Sequence, residues 1–252
     1  MTTPNALPVT VDAACHHTFD ADTWLLALNP VSGGGRGLKL RSIIEARLHE
    51  QGQRFHTVVS HRAGQTADLV AESVKNGCRR ILIAGGDGSF GEAVNGLFAQ
   101  TAVAADMVTL ALLPVGTGND WARGHGVPAG LEAAIFLAVH GRAKPHDAGL
   151  IEFAVAGSRR WFVNVAGTGF DAAVVERMPS RRLGRLAEIL RDIRRLFDGT
   201  LPAHPKVSCW RTTRVSLDGP TGTPIEADGE PVGHLPVEVS ILPAALRVML
   251  PE

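Results

Sequence analysis

"RRILIAGGDGSFGEAVNGL" runs from Arg79 to Leu97. An apolar run, Ile81 to Ala84, stops at Gly85-Gly86. Asp87 and Gly88 follow, and then helix-like sequence. A strand that ends in glycines and feeds a helix is one step of a parallel α/β sheet. The acid inside it poses a question. Glycine turns of this kind present backbone N–H groups to anions, and Asp87 would repel one.

The same grammar surrounds this stretch. "TWLLALN" (23–29), "RFHTVVS" and "MVTLALLPV" read as further strands. "LKLRSIIEARLHEQG" (38–52), "TADLVAESVKNG", "FGEAVNGLFAQ" and "LEAAIFLAVHG" read as helices, with Gly77 as a C-cap. Strand–helix alternation predicts a doubly wound parallel sheet over 23–142, joined by right-handed crossovers. From about Lys144 the pattern changes. Strand-like runs surround a Gly-Ser turn, one arginine-rich helix follows, and short strands between Pro, Gly and Asp turns reach Glu252. This predicts a second, mainly antiparallel β domain over 143–252, after a loose tail at 1–22.

Composition narrows the function classes. The chain has 252 residues, enough for one large domain or two small ones. Twenty-five Lys+Arg balance twenty-five Asp+Glu, so bulk charge does not point to nucleic acid. Three scattered cysteines and ten histidines show no metal or disulfide spacing, which suggests a reducing compartment. No apolar run approaches the roughly 18 residues of a membrane span. A cytoplasmic protein is expected, either soluble or held at a membrane surface.

Three glycine turns follow strands of the proposed sheet: "NPVSGGGRG" (29–37), "GGDGSFGE" (85–92) and "PVGTGND" (114–120). The carboxyl ends of parallel strands share one edge, and ligands bind there. Any one turn reads equally well as an ordinary tight βα connection; three on one edge favour a phosphate-bearing ligand. Asp87 is then tolerable if Mg²⁺ lies between it and a polyphosphate. Asp120 on the same edge reads more simply as a helix N-cap. Gly86 to Gly91 also fits G-x-G-x-x-G, but it follows the third strand and carries an acid, which argues against a plain dinucleotide oxidoreductase.

In the second half, "EADGEPV" (226–232) places Asp228 and Glu230 on either side of Gly229. Asp-Gly between strands ordinarily means a type I′ hairpin turn. The chemical reading is an acidic pair that takes a hydroxyl proton during phosphoryl transfer. Residues 177–195 carry seven arginines against two acids, with Leu183, Leu186, Ile189, Leu190 and Ile193 on one face. Such a helix either presents a solvated basic face or lies on anionic lipid, in which case Arg181, Arg182 and Arg185 would contact the membrane.

Taken together, "NPVSGGG", "AGGDGSFGEAVNG", "LPVGTGNDWAR", "FVNVAGTGFDAAV" and "ADGEPV" resemble, in content and order, the motifs of the diacylglycerol kinase catalytic-domain family, the soluble bacterial lipid kinases related to sphingosine kinases. GGDG alone is shared with NAD kinases and phosphofructokinases, and the late motifs make the match specific. The resemblance implies an NAD kinase-like first domain, ATP in an interdomain cleft, Mg²⁺, and transfer of the γ-phosphate to a membrane-lipid hydroxyl such as that of diacylglycerol. It implies nucleotide contacts from Asn29, Pro30, Val31, Ser32, Gly33, Ser60, Gly86, Asp87, Gly88, Ser89, Phe90, Gly91, Glu92 and Thr117. Glu230, or Asp228 beside it, would be the base, with Asp87 acting through Mg-ATP. The final strand, about 246–250, would return to the first domain. The protein would work at the inner face of the membrane, and self-association as a homodimer stays open.

One departure accompanies the resemblance. Family members carry a further block between the basic helix and the DGE motif, including the ligands of a structural Mg²⁺ site. Here the sequence runs straight through, so the second domain is shortened and that site is expected to be absent. The rival expectations are a kinase for a soluble acceptor, as in NAD kinase, and a nucleotide-binding remnant without catalysis.

Overall fold

Consecutive apolar residues in three short runs give strands buried on both faces, and the mixed run FHTVV adds a partly buried edge strand. In the computed structural model, which describes residues 18–154, 157–168, 207–220 and 222–252, these are β1 (Trp24–Leu28), β2 (Phe55–Val59), β3 (Arg80–Gly85) and β4 (Thr109–Pro114). They pair in parallel in the order β2-β1-β3-β4. Alternate residues serve opposite layers. Leu25, Ala27, Ile81, Ile83, Leu110 and Leu112 face helices α2 (Gln65–Lys75), α3 (Asp87–Ala99) and α4 (Asp120–Gly124). Trp24, Leu26, Leu28, Leu82, Ala84, Ala111 and Leu113 face α1 (Ser32–Glu50) and α5 (Leu131–His140). Each fully buried aliphatic side chain contributes about 1.5–3 kcal/mol of transfer free energy, so two such layers make this the main core.

The two helices that follow the first two glycine motifs start in different ways, α1 close to the expected Leu38 and α3 earlier than expected. The span assigned to α1 opens with Gly33, Gly34 and Gly35 in left-handed conformation, so regular right-handed helix begins only after them. A β-carbon at Gly33 would also lie 2.2 Å from the carbonyl oxygen of Val115, so both backbone and space demand glycine. Helix α3 begins inside the glycine motif. Gly86 is its extended N-cap and Asp87 its first residue, three residues earlier than the Phe90 start predicted from the apolar pattern.

The antiparallel part grows out of the same sheet. β5 (Arg142–Phe153) and β11 (Val237–Leu250) are long strands paired along almost their whole length, interrupted at a bulge where 243–245 face Asp147. The Asp147 Oδ1 accepts the Ala244 N–H there at 2.8 Å. Beyond the bulge, Arg247 and Val248 of β11 pair in parallel with β4. Before it, Val237 to Ser240 pair with β8 (Arg214–Leu217), and β5 pairs with β6 (Arg159–Phe162). A separate three-stranded antiparallel sheet holds β7 (Ala166–Thr168), β9 (Pro224–Ala227) and β10 (Glu230–His234) in the order β10-β9-β7. Ile151, Phe153, Phe162, Ile225, Ala227, Leu235 and Val237 form a second core between the two sheets. The stretch 177–195, with Arg181, Arg182 and Arg185, lies outside the described residues.

Candidate functional site

Strands β1 to β4 end at one level, with Leu28 opposite Val59 and Ala84, and Gly85 opposite Pro114. The three glycine turns therefore share one edge. They also touch each other. A β-carbon on Gly116 would fall 2.7 Å from the Cα of Gly86, a backbone approach that no side chain permits. Asn29 Nδ2 donates to Ser89 Oγ at 2.9 Å, joining the first turn to the second. Arg36 joins the first to the third, donating from Nε to the Gly33 carbonyl (3.1 Å) and from Nη2 to the Gly116 carbonyl (3.2 Å). Asn119, left-handed at φ 53°, closes the third turn by donating to the Gly116 carbonyl at 2.9 Å.

The question raised by Asp87 has a structural answer. Its Oδ2 accepts the N–H of Asp120 (2.9 Å) and its Oδ1 the N–H of Trp121 (3.1 Å). The acid caps α4 from a distance and sits in the first turn of α3, so the positive ends of two helix dipoles offset its charge. Asp120, expected as that cap, instead pairs with Arg123. Glu92 does for α2 what Asp87 does for α4. Its carboxylate accepts the N–H groups of Gly64 (2.7 Å) and Thr66 (3.2 Å). Asn95 reaches the third neighbour, accepting from the Trp161 N–H and donating to the Trp161 carbonyl, both at 2.9 Å. Phe90 lies in the core, fully buried against Trp121 with ring centroids 4.4 Å apart, and not in the cleft.

The second sheet brings the acidic hairpin to this edge. Asp228 and Gly229 form its two-residue turn, both at positive φ, as the Asp-Gly reading predicts. The Asp228 carboxylate accepts three backbone N–H groups, those of Val163 (3.0 Å), Asn164 (2.9 Å) and Val165 (3.2 Å). Burial pushes its pKa above the ordinary value, while those three N–H groups and Arg160 pull it down. Glu230 is placed differently. Its Oε1 would be 2.9 Å from a β-carbon at Gly88, directly over the first turn of α3. Its Oε2 accepts from Arg160 Nη2 at 2.9 Å. Burial raises the Glu230 pKa, Arg160 lowers it, and the carboxylates of Glu92 and Asp228 raise it.

Two adjoining clefts meet at Glu230. One, of about 380 Å³, runs from Asn29, Pro30 and Val31 past Ser60, His61 and Arg62 to Gly88, Ser89 and Glu92. The other, of about 350 Å³, is bounded by Ser32, Gly33, Gly86, Asp87, Gly88, Gly116 to Gly118 and the Asp228–Glu230 turn. The sequence-predicted Asn29 to Gly33, Ser60, Gly86 to Ser89, Thr117 and Glu230 all line one or both. Phe90 and Gly91 line neither. Roomier grooves lie elsewhere. One of about 510 Å³ is bordered by Glu152, Arg159, Arg214 and Glu238, whose charges pair with each other, and it stands away from the glycine edge.

Each Asp87 oxygen accepts one amide and keeps a second lone pair, so the carboxylate could reach an Mg²⁺ carried in by a nucleotide but forms no metal cage of its own. Among the described residues, no three His, Cys, Asp or Glu side chains gather to hold a metal. Arg160 was not legible as a site residue, because its partner lies 70 residues away and it belongs to no glycine or acidic motif; Arg36 stands inside NPVSGGGRG, but nothing there records its bond to the Gly116 carbonyl 80 residues on.

The fold and site define a class: an α/β protein whose parallel sheet carries a glycine edge, closed by an acidic hairpin from a second, antiparallel sheet. The model of the diacylglycerol kinase catalytic domain matches residues 23–151, and that of the YegS C-terminal NAD kinase beta sandwich-like domain matches 165–250. The chain belongs to the diacylglycerol kinase catalytic-domain family. It is 32% identical over 152 residues to "Probable lipid kinase YegS-like" of Cronobacter sakazakii, covering 59% of this chain and 48% of that one. It is 33% identical over 186 residues to the diacylglycerol kinase of Mycobacterium tuberculosis, covering 68% and 58%. The chain thus spans about half the length of the curated relatives it matches. A crystal structure of a diacylglycerol kinase from Bacillus anthracis superposes with a TM-score of 0.68 at 18% identity, covering 92% of this chain and 98% of that one, a likeness of fold.

Proposed function

We propose that the protein is an ATP-dependent kinase that transfers the γ-phosphate to a hydroxyl of a membrane lipid such as diacylglycerol. The observation that carries this is Glu230, a half-buried carboxyl from the second sheet held over the uncapped first turn of α3, where two clefts meet. Phosphoryl transfer needs donors for the phosphate oxygens and a base for the attacking hydroxyl. The amides of the α3 first turn and of Thr117 and Gly118 supply the donors, the Gly116 N–H being held by the Gly85 carbonyl. The 380 Å³ cleft beside Ser60 takes the nucleoside, and the 350 Å³ cleft takes the phosphates. Glu230 accepts the hydroxyl proton at its carboxylate. Asp228 shapes and anchors the hairpin, its oxygens already bound to three amides. Mg²⁺ would supply charge neutralisation on the phosphates, held by the nucleotide and not by a cage in this chain.

The names of the relatives support a lipid acceptor, and such an acceptor would place the protein at a membrane surface. Among the described residues no helix is long and apolar enough to cross a membrane. The test is transfer from labelled ATP to diacylglycerol, ceramide, sphingosine and phosphatidylglycerol in micelles, with NAD as a soluble control. Glu230→Gln should bind ATP and lose about 10²–10⁴-fold in kcat, the usual contribution of a general base. Transfer to NAD alone would replace the lipid reading. ATP binding with no transfer to any acceptor would mean a nucleotide-binding remnant.

A further inference from the structure

We infer that Arg160 is the positioning residue that holds the Glu230 carboxylate over the α3 first turn. The inference rests on Glu230 as the proposed base. Arg160 lies in β6 opposite Ile151, and its Nη2 is 2.9 Å from Glu230 Oε2. The side chains are 27% and 43% exposed, so water screens the pair only in part. Its buried Nε has no acceptor among the described residues, and the guanidinium donates to Glu230 through Nη2.

The segment that carries Arg160 is pinned on two sides. Asn95 of α3 holds both backbone groups of Trp161. The Trp161 ring also stacks on Phe98 of the same helix, with centroids 3.7 Å apart. Asp228 holds the next three free N–H groups, at 163 to 165. The backbone that carries the guanidinium is thus fixed to α3 and to the acidic hairpin. A loose surface arginine would have to give up side-chain entropy to make the same pair.

The surroundings show why a base here needs this partner. Three charged groups face Glu230: Glu92 from α3, Asp228 from the hairpin turn and Arg160 from β6. Burial and the two carboxylates favour the protonated acid, which cannot accept a proton. Arg160 is the cation paired with Glu230 and favours the carboxylate, as does the positive end of α3 beneath it. Removal of Arg160 therefore moves the titration of Glu230 to higher pH and frees the side chain from its place over Gly88.

The test uses the full chain with Arg160→Met, which keeps length and removes charge, and Arg160→Lys, which keeps charge and loses the planar fork. Carboxyl-carbon NMR titration, with Glu230 assigned through Glu230→Gln, needs no turnover. Glu230 should titrate at higher pH in Arg160→Met and nearer to wild type in Arg160→Lys. In the kinase assay the acid limb of kcat/KM should move the same way. The value of kcat should fall about ten- to hundredfold, as when an outer partner orienting a reacting group is lost, with KM for ATP unchanged. Adding Arg160→Met to Glu230→Gln should cost nothing further. An unmoved titration in Arg160→Met overturns the inference, as does a rise in KM for ATP with kcat intact. A fully active Glu230→Gln would sink the base reading instead, and the NMR titration would still decide whether Arg160 holds Glu230.

Discussion

Asp87 illustrates how one carboxylate can be read in two physical ways. Beside a glycine turn it suggests a metal between it and phosphate. In the fold its two oxygens belong to the amides of Asp120 and Trp121. The two accounts predict different mutants. Asp87→Asn keeps one acceptor and removes the charge, so it should cost about 2 kcal/mol of stability, the range of a lost charged cap. Nucleotide affinity should then fall by the same factor with and without Mg²⁺, because the third glycine turn loosens in both cases. Denaturant titration and paired calorimetric binding measurements would show it. A loss confined to Mg-ATP would restore the bridging role. Asp228 obeys the same logic. Three amides already occupy its oxygens, so Asp228→Asn should weaken the hairpin more than it alters the chemistry, whereas Glu230→Gln should do the reverse.

At the level of elements, α3 is the piece that organises the site. Asp87, Glu92 and Asn95 point to α4, α2 and β6 respectively, and each side chain satisfies two backbone groups there. A helix that bonds three neighbours through side chains fixes the glycine edge without blocking its own first turn. Glu92→Ala should therefore leave two donors at the start of α2 unpaired and cost about 1–2 kcal/mol. Amide exchange at Gly64 to Thr66 should accelerate while the middle of α2 stays protected; uniform acceleration along α2 would show that packing and not the cap controls it. On the far side of α4, His125 Nε2 and His146 Nε2 lie 3.1 Å apart, joining the end of that helix to β5. Burial, with the charge of His125 adding to it, lowers the pKa of His146 against the backbone bond to Asp147. A folded pKa below the unfolded one contributes stability above the unfolded value, lost as pH falls through the folded one. The protein should thus weaken on acidification below about 6.5, the ordinary histidine value. His146→Asn should flatten that part of the stability–pH curve, and an unchanged curve would assign the effect to other groups.

Across the whole molecule, what the sequence revealed and what it hid have one cause. Strands buried on both faces leave continuous apolar runs, so Trp24 to Pro114 was readable as βα units, and the glycine edge with it. Asp87, Glu92 and Asn95 find partners 33, 28 and 66 residues away, and no local pattern records those. The Arg160–Glu230 pair spans 70 residues and was hidden for the same reason. Nor does a periodicity of two say that β5 and β11 are single strands passing from the parallel part of the sheet into the antiparallel part. That continuity has a thermodynamic consequence. Arg142 to His146 pair with Leu246 to Leu250 beside β4, and Ala148 to Phe153 pair with Val237 to Leu242 above the second core. The hairpin bearing Glu230 packs on that second core, whose other side is the ladder that also closes the first. The described parts should therefore unfold as one cooperative unit. A variant retaining only Trp121 in the first core, and a variant lacking the native tryptophans but carrying Phe153→Trp in the second core, should give coincident denaturant midpoints, equal to the midpoint by circular dichroism. Val239→Pro, in the middle of β11, removes a ladder hydrogen bond and should lower both midpoints together. Separate midpoints, or a Trp121 transition untouched by Val239→Pro, would mean that the acidic hairpin can leave the glycine edge on its own.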